Sequence, residues 1–192
     1  MSRPKRELTD AREMRALAHP VRVALLELLG RDGPMTATQA GEALGESPAN
    51  ASFHLRTLAK YGFVEEAPGG TGRQRPWRRV DQKHAWGYGD DPATAAAAEG
   101  LSRFFEQRIE ERRQVWNATR ASYPKAWQDA ALAFSSITYL TAEELEAVGE
   151  EIIALIDRYS DRVTDRSLRP DDALPVALWA SGHPIEPTPR GN

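Results

Sequence analysis

A chain of 192 residues with 41% hydrophobic and 28% charged side chains has the length to bury a real core and the balance of an ordinary folded domain. It has no cysteine, which excludes disulfides, thiolate metal sites and cysteine nucleophiles. The formal charge of −3 is unevenly spread: residues 1–83 hold 14 Lys+Arg against 10 Asp+Glu, and residues 84–192 hold 11 against 18. An anionic partner such as DNA is therefore expected at the N-terminal half.

The four histidines, His19, His54, His84 and His183, form no HxH or HxxxH spacing, so neither a metal site nor a cofactor is expected. There is no run of roughly 18 apolar residues and the first ten residues, MSRPKRELTD, lack an apolar segment, so we expect no membrane span and no signal peptide, and read the chain as cytoplasmic. No paired nucleophile and base and no phosphate loop stand out, so an enzyme is not expected.

Residues 1–8 carry Arg3, Lys5 and Arg6 without apolar periodicity and read as a frayed basic arm. Asp10 and Glu13 suit a capping box for a helix through about Ala18, and Pro20 starts a second helix ending at Gly30 that buries Val21, Leu25, Leu28 and Leu29. Arg22 of that helix suits either a phosphate or an internal ion pair. Thr36 or Thr38 caps a short helix with Ala40, Ala43 and Leu44 inward, stopped by Gly45.

Ser47 is a good N-cap, Pro48 fits the first helical position and Gly62 suits a left-handed stop, so the next helix runs from about Pro48 to Tyr61. Ala51, Leu55 and Leu58 share its inner face. The other face carries Asn50, Phe53, Arg56, Thr57 and Lys60, with Ser52 and His54 at the margins. Those residue types contact base edges and phosphates, although a solvated surface face would look similar. Phe63–Glu66 and Trp77–Val80 read as strands around a turn, PGGTGRQRP, rich in glycine and arginine.

Three segments, AHPVRVALLELL, ATQAGEALGESPANASFHLRTLAKYGFVEE and GRQRPWRRV, make residues 12–80 resemble the winged helix-turn-helix domain of ArsR-type bacterial transcription regulators. The resemblance implies double-stranded DNA as partner and puts Ser52, Phe53, His54 and Arg56 on the DNA-facing helix, with Phe53 where an aromatic or basic residue is common. Asn50, Ser52, Phe53 and Arg56 are the expected base readers, and Thr38, Gln39, His54, Arg73, Arg75 and Arg78 the expected phosphate contacts. The chain departs from the short metal-sensing members by continuing far beyond the wing.

Residues 81–94 read as a linker in which Trp86 and Tyr88 pack against something. Ala95–Tyr123 then forms one long helix ended by Pro124, with Leu101, Phe105, Ile109 and Trp116 as its apolar material. Its length suggests packing against a second copy, a homodimer, with a scaffold under the C-terminal segment as the alternative. Ala133–Leu140 and Pro175–Ser181 read as strands. Thr141 and Glu144 cap a helix striped by Leu145, Val148, Ile152, Leu155 and Tyr159.

The expected architecture is mainly α within the α+β class: a winged helix-turn-helix domain at residues 1–82, then, in 83–192, a long dimerisation helix and a small C-terminal α+β unit. Trp116, Trp127, Tyr139 and Trp179 are expected either to wall a pocket for an apolar or aromatic small-molecule effector or simply to form core. An interaction module that keeps the winged fold without specific DNA binding is the second functional reading.

Overall fold

The computed structural model describes residues 5–70, 74–87, 89 and 91–185. Asp10 accepts from the Arg12 N–H and starts helix α1 (Ala11–Leu17), and Pro20 opens α2 (Pro20–Asp32). Thr36, not Thr38, caps α3 (Ala37–Leu44), in a reciprocal box with Gln39. Ser47 caps α4 (Pro48–Lys60), which is followed by Gly62 at φ 71°. Strands β2 (Val64–Glu66) and β3 (Trp77–Arg79) pair antiparallel with Glu65 opposite Arg78, and Met35 adds one bridge to Trp77 on the other side of β3. A helix-turn-helix and a wing on a minimal sheet result, so the mainly α architecture of the α+β class is present.

Two parts of the N-terminal half differ from expectation. Residues 5–8 are a strand, β1 (Lys5–Leu8), in parallel register with β4 (Lys83–Trp86), so neither the arm nor the linker is irregular throughout. Leu8 is the reason, since its fully buried side chain holds β1 on the core. The second helix does not stop at Gly30 but continues to Asp32 and ends on Gly33 at φ 84°.

The long helix, α5 (Pro92–Thr119), is capped by Asp91, whose carboxylate accepts from the N–H groups of Ala93 and Thr94. A 3-10 turn, Arg120–Ser122, extends it. Thr94, Ala97, Ala98 and Leu101 are buried and join Leu8, Met14, Leu25, Leu55, Leu58 and Phe63 in one core. The expected division at residue 82 thus falls inside this core, because the first three turns of α5 pack on α1. Glu27 of α2 adds a tie further along, accepting from Arg108 at 2.7 Å and also pairing with Arg112.

Beyond α5 come α6 (Lys125–Ala130), α7 (Ala142–Asp157), α8 (Asp161–Thr164) and a 3-10 turn, Arg166–Leu168. The capping box of Thr141 and Glu144 is present. The two strands expected at 133–140 and 175–181 are not: neither segment belongs to a helix or a strand, and neither joins a sheet. Their β-branched and aromatic residues satisfy strand propensity, yet propensity alone supplies no ladder. No buried hydrophobic residue lies after Leu101 among the described residues, whereas Val115 and many large apolar residues after it are exposed.

Candidate nucleic-acid interface

Helix α4 is mounted by its inner face. Ala51, Leu55 and Leu58 are completely buried, so α4 is held against α2 and α3 along its length. A carbonyl at its C-terminus adds a fixed point. Arg6 of β1 donates to the Tyr61 backbone oxygen at 2.7 Å, donates to Glu13 at 2.5 Å and lies 5.3 Å over the Phe63 ring. Arg22, expected to meet a phosphate or an acid, instead donates to the backbone oxygens of Arg15 and Ala16 and so satisfies the end of α1.

The outer face is only partly as expected. Phe53 is 56% exposed, whereas the other large apolar side chains described before α5 are buried or half-buried. Arg56 is exposed and, among the described residues, makes no ion pair, while Ser52 is half-buried beside it. Asn50 is committed in the free chain, donating from Nδ2 to Glu46 at 2.6 Å. Thr38 is exposed, and the Gln39 side-chain oxygen accepts from the Thr36 N–H at 2.8 Å as half of the capping box.

His54 is a correction. It is 6% exposed and stacks on His19 with ring centroids 4.5 Å apart, so its imidazole belongs to the seam between α2 and α4 and is not poised for a phosphate. Burial and the Arg22 guanidinium push both histidines below the ordinary imidazole range, against a smaller opposing effect from Glu46. Its place at the margin of the helical face left this open, because His19 reaches it from a separate helix.

On the wing, Arg75 pairs with Glu66 and Arg78 with Glu65, each at 2.7 Å, and all four side chains are well exposed. Such surface pairs contribute about 0–1 kcal/mol and exchange readily for a phosphate. Arg73 lies outside the described residues. In the described part of the wing, Arg75 and Arg78 are thus paired yet accessible.

One titrating group lies under this assembly. His84 of β4 packs edge-on against Phe63 at 4.9 Å, and burial, with Arg79 and Arg6 nearby, pushes it down to about 4. A histidine with an ordinary value near 6.5 in the unfolded chain takes up its proton there first as pH falls. Its contribution to stability is thus fully present above pH 6.5 and is lost between 6.5 and 4. We expect acid titration over this window to cost about 2 kcal/mol through His84, and denaturant unfolding of the wild type and of His84→Gln at pH 7 and 4.5 checks it. An equal pH dependence in the variant would transfer the effect to His19 and His54.

The four aromatics expected to share a pocket do not meet. Trp116 packs on Tyr123 at 5.2 Å, Trp179 stacks on Phe105 at 6.3 Å, Tyr139 is 99% exposed and Trp127, on α6, is half-buried. The cluster that does form is Trp86, Phe104, Phe105 and Trp179, with the Trp86 Nε1 donating to Ser102 at 3.0 Å. Trp86 therefore packs as expected. Its partner was hidden because Phe105 belongs to a helix that reads equally well as an interface.

Among the described residues there is no cluster of three or more His, Asp or Glu placed to hold a metal, and no helix long and apolar enough to cross a membrane. Residues 17–67 match the family described as a helix-turn-helix domain, and with β2, β3 and the Met35 bridge this domain is winged. Two solved structures resemble the chain more loosely. One is NMB1585, a MarR family regulator from Neisseria meningitidis, at 17% identity and a TM-score of 0.33, over 74% of this chain and 77% of that one. The other is a mutant of ZitR from Lactococcus lactis, at 16% identity and a TM-score of 0.31, over 72% of this chain and 73% of that one. A search of curated proteins finds no significant match.

Proposed function

We propose that the protein is a sequence-specific DNA-binding transcription regulator that acts as a homodimer, with α4 in the major groove and the basic wing, residues 68–79, on the backbone or in the minor groove. The observation that carries this reading is the outward pairing of Phe53 and Arg56 on a helix whose other face is fully buried. An exposed phenylalanine costs solvation unless something covers it, and a thymine methyl is the apolar group a major groove offers. Ser52 and Arg56 supply the polar contacts to base edges, and Thr38 reaches the flanking backbone. Two protomers then read a pseudo-palindrome with half-site centres one helical turn, ~34 Å, apart.

The motifs of residues 12–80 support the ArsR type for this regulator, and the absence of cysteine argues against thiolate sensing. A gel shift against genomic fragments at several salt concentrations is the primary test, and absence of any specific complex at low salt would favour the winged protein-interaction module. The wing offers a separate check. Arg75→Ala with Arg78→Ala should weaken specific and non-specific binding alike and flatten the slope of log K against log salt by about one unit per lost phosphate contact. An unchanged slope would place both arginines off the DNA.

A further inference from the structure

Apolar surface is partitioned sharply along this chain. The core ends at Leu101, while Leu132, Phe134, Ile137, Val176 and Ile185 are each more than 60% exposed. Helix α7 buries none of its residues, although it presents Val148, Ile153, Leu155 and Ile156. A stripe with this 3.6-residue spacing does not persist uncovered in water.

The area involved is large. The chain exposes 13985 Å² at a mass of 21.3 kDa, whereas a folded monomer of that mass exposes about 9,100 Å². The surplus, about 4,900 Å², exceeds the roughly 1,000–2,500 Å² that each protomer contributes to an obligate homodimer.

The C-terminal arm, residues 131–185, is also anchored at defined places. Arg166 and Arg169 donate to the Arg31 backbone oxygen at 3.0 and 3.1 Å, and Trp179 lies on Phe105. Despite these anchors, Val148, Ile153, Leu155 and Ile156 of α7 stay exposed. Nucleic acid is a poor occupant, because residues 131–185 carry ten Asp+Glu against four Arg and no Lys.

We propose that residues 131–185, centred on α7, form the dimer interface by docking on a second copy of this chain. The first half of α5 does not serve, since Thr94, Ala97, Ala98 and Leu101 are already spent on its own domain. This rests on the homodimeric reading above and specifies its surface.

Sedimentation of the full chain with Ile153→Glu and Ile156→Glu together provides the test, using far-UV circular dichroism to confirm folding. The wild type should sediment at twice the monomer mass and the variant at the monomer mass. Its affinity for a full operator should fall at least about 100-fold through lost avidity, while half-site binding is retained. Amide exchange on the unaltered chain gives an independent readout: protection across Ala142–Asp157 should rise with protein concentration. A variant that remains a dimer, or protection independent of concentration, would overturn the interface and leave the homodimer standing. A wild type that is monomeric while binding a full operator would overturn both, and would mean that the arm folds on its own chain or awaits a different protein.

Discussion

Replacing Gly41 by alanine should destabilise the protein by about 2 kcal/mol, even though alanine is the better helix former by roughly 1 kcal/mol. The reason is the closeness of the turn between α3 and α4. A Cβ on Gly41 would lie 2.8 Å from the backbone oxygen of Glu46 and 3.4 Å from Pro48 N, and a backbone cannot swing aside as a long side chain can. The same turn carries the hydrogen bond from the Glu46 N–H to the Gly41 oxygen at 2.8 Å. Relief of the clash must therefore tilt the start of α4, and DNA affinity should fall with stability. Denaturant unfolding measures the first and a gel shift the second. A more stable Gly41→Ala protein would mean that propensity outweighs packing here.

Arg56→Ala is expected to weaken specific binding by about 1–3 kcal/mol, a factor of roughly 5 to 150, and to relax sequence preference at one position in each half-site. Arg56 is exposed on the outer face of α4 with no internal ion pair to lose among the described residues, so folding stability should change by less than about 0.5 kcal/mol. Gly41→Ala acts on the scaffold, whereas Arg56→Ala acts on the proposed reading surface. Binding to randomised operators separates the two roles of an arginine. Equal loss on all sequences would make Arg56 a phosphate contact.

Local signals were legible where they were complete within a few residues. Ser47, Pro48 and Gly62 set the bounds of α4, and the spacing of Ala51, Leu55 and Leu58 marked its buried face. Strand β1 was hidden because three of its four residues are charged and its parallel partner lies more than 70 residues away. His54 was misplaced for a similar reason, since helical periodicity orients a side chain but does not say that His19 will cover it.

Composition misled most in the C-terminal part. AFSSITYL has the residues of a strand, yet a strand needs a neighbour for its backbone groups, and none of the described residues supplies one. Aromatic content was equally ambiguous: Trp116 and Trp179 both pack, but Trp179 lies at the middle of α5 and Trp116 near its C-terminal end. For α5 itself, Leu101 of the expected stripe is buried against its own domain, whereas Phe105, Ile109 and Trp116 stay half-buried. Sequence gives the face, and only the fold says whether α1 or another molecule claims it.

The union of α5 with the DNA-reading domain has a mechanical consequence. Its N-terminal turns are embedded with Leu101 in the core, and the Glu27 pairs with Arg108 and Arg112 stiffen the next two turns. The helix then runs on as a rod, ~42 Å from end to end over its 28 residues. It works as a lever with no hinge at the reading head. A displacement of about 3 Å at its far end turns the whole head by only ~4° at this length, so movement out there is geared down before it reaches the groove. On the homodimeric reading proposed above, two such unhinged heads would be held at a fixed separation, and operators lengthened by a single base pair should be rejected rather than accommodated.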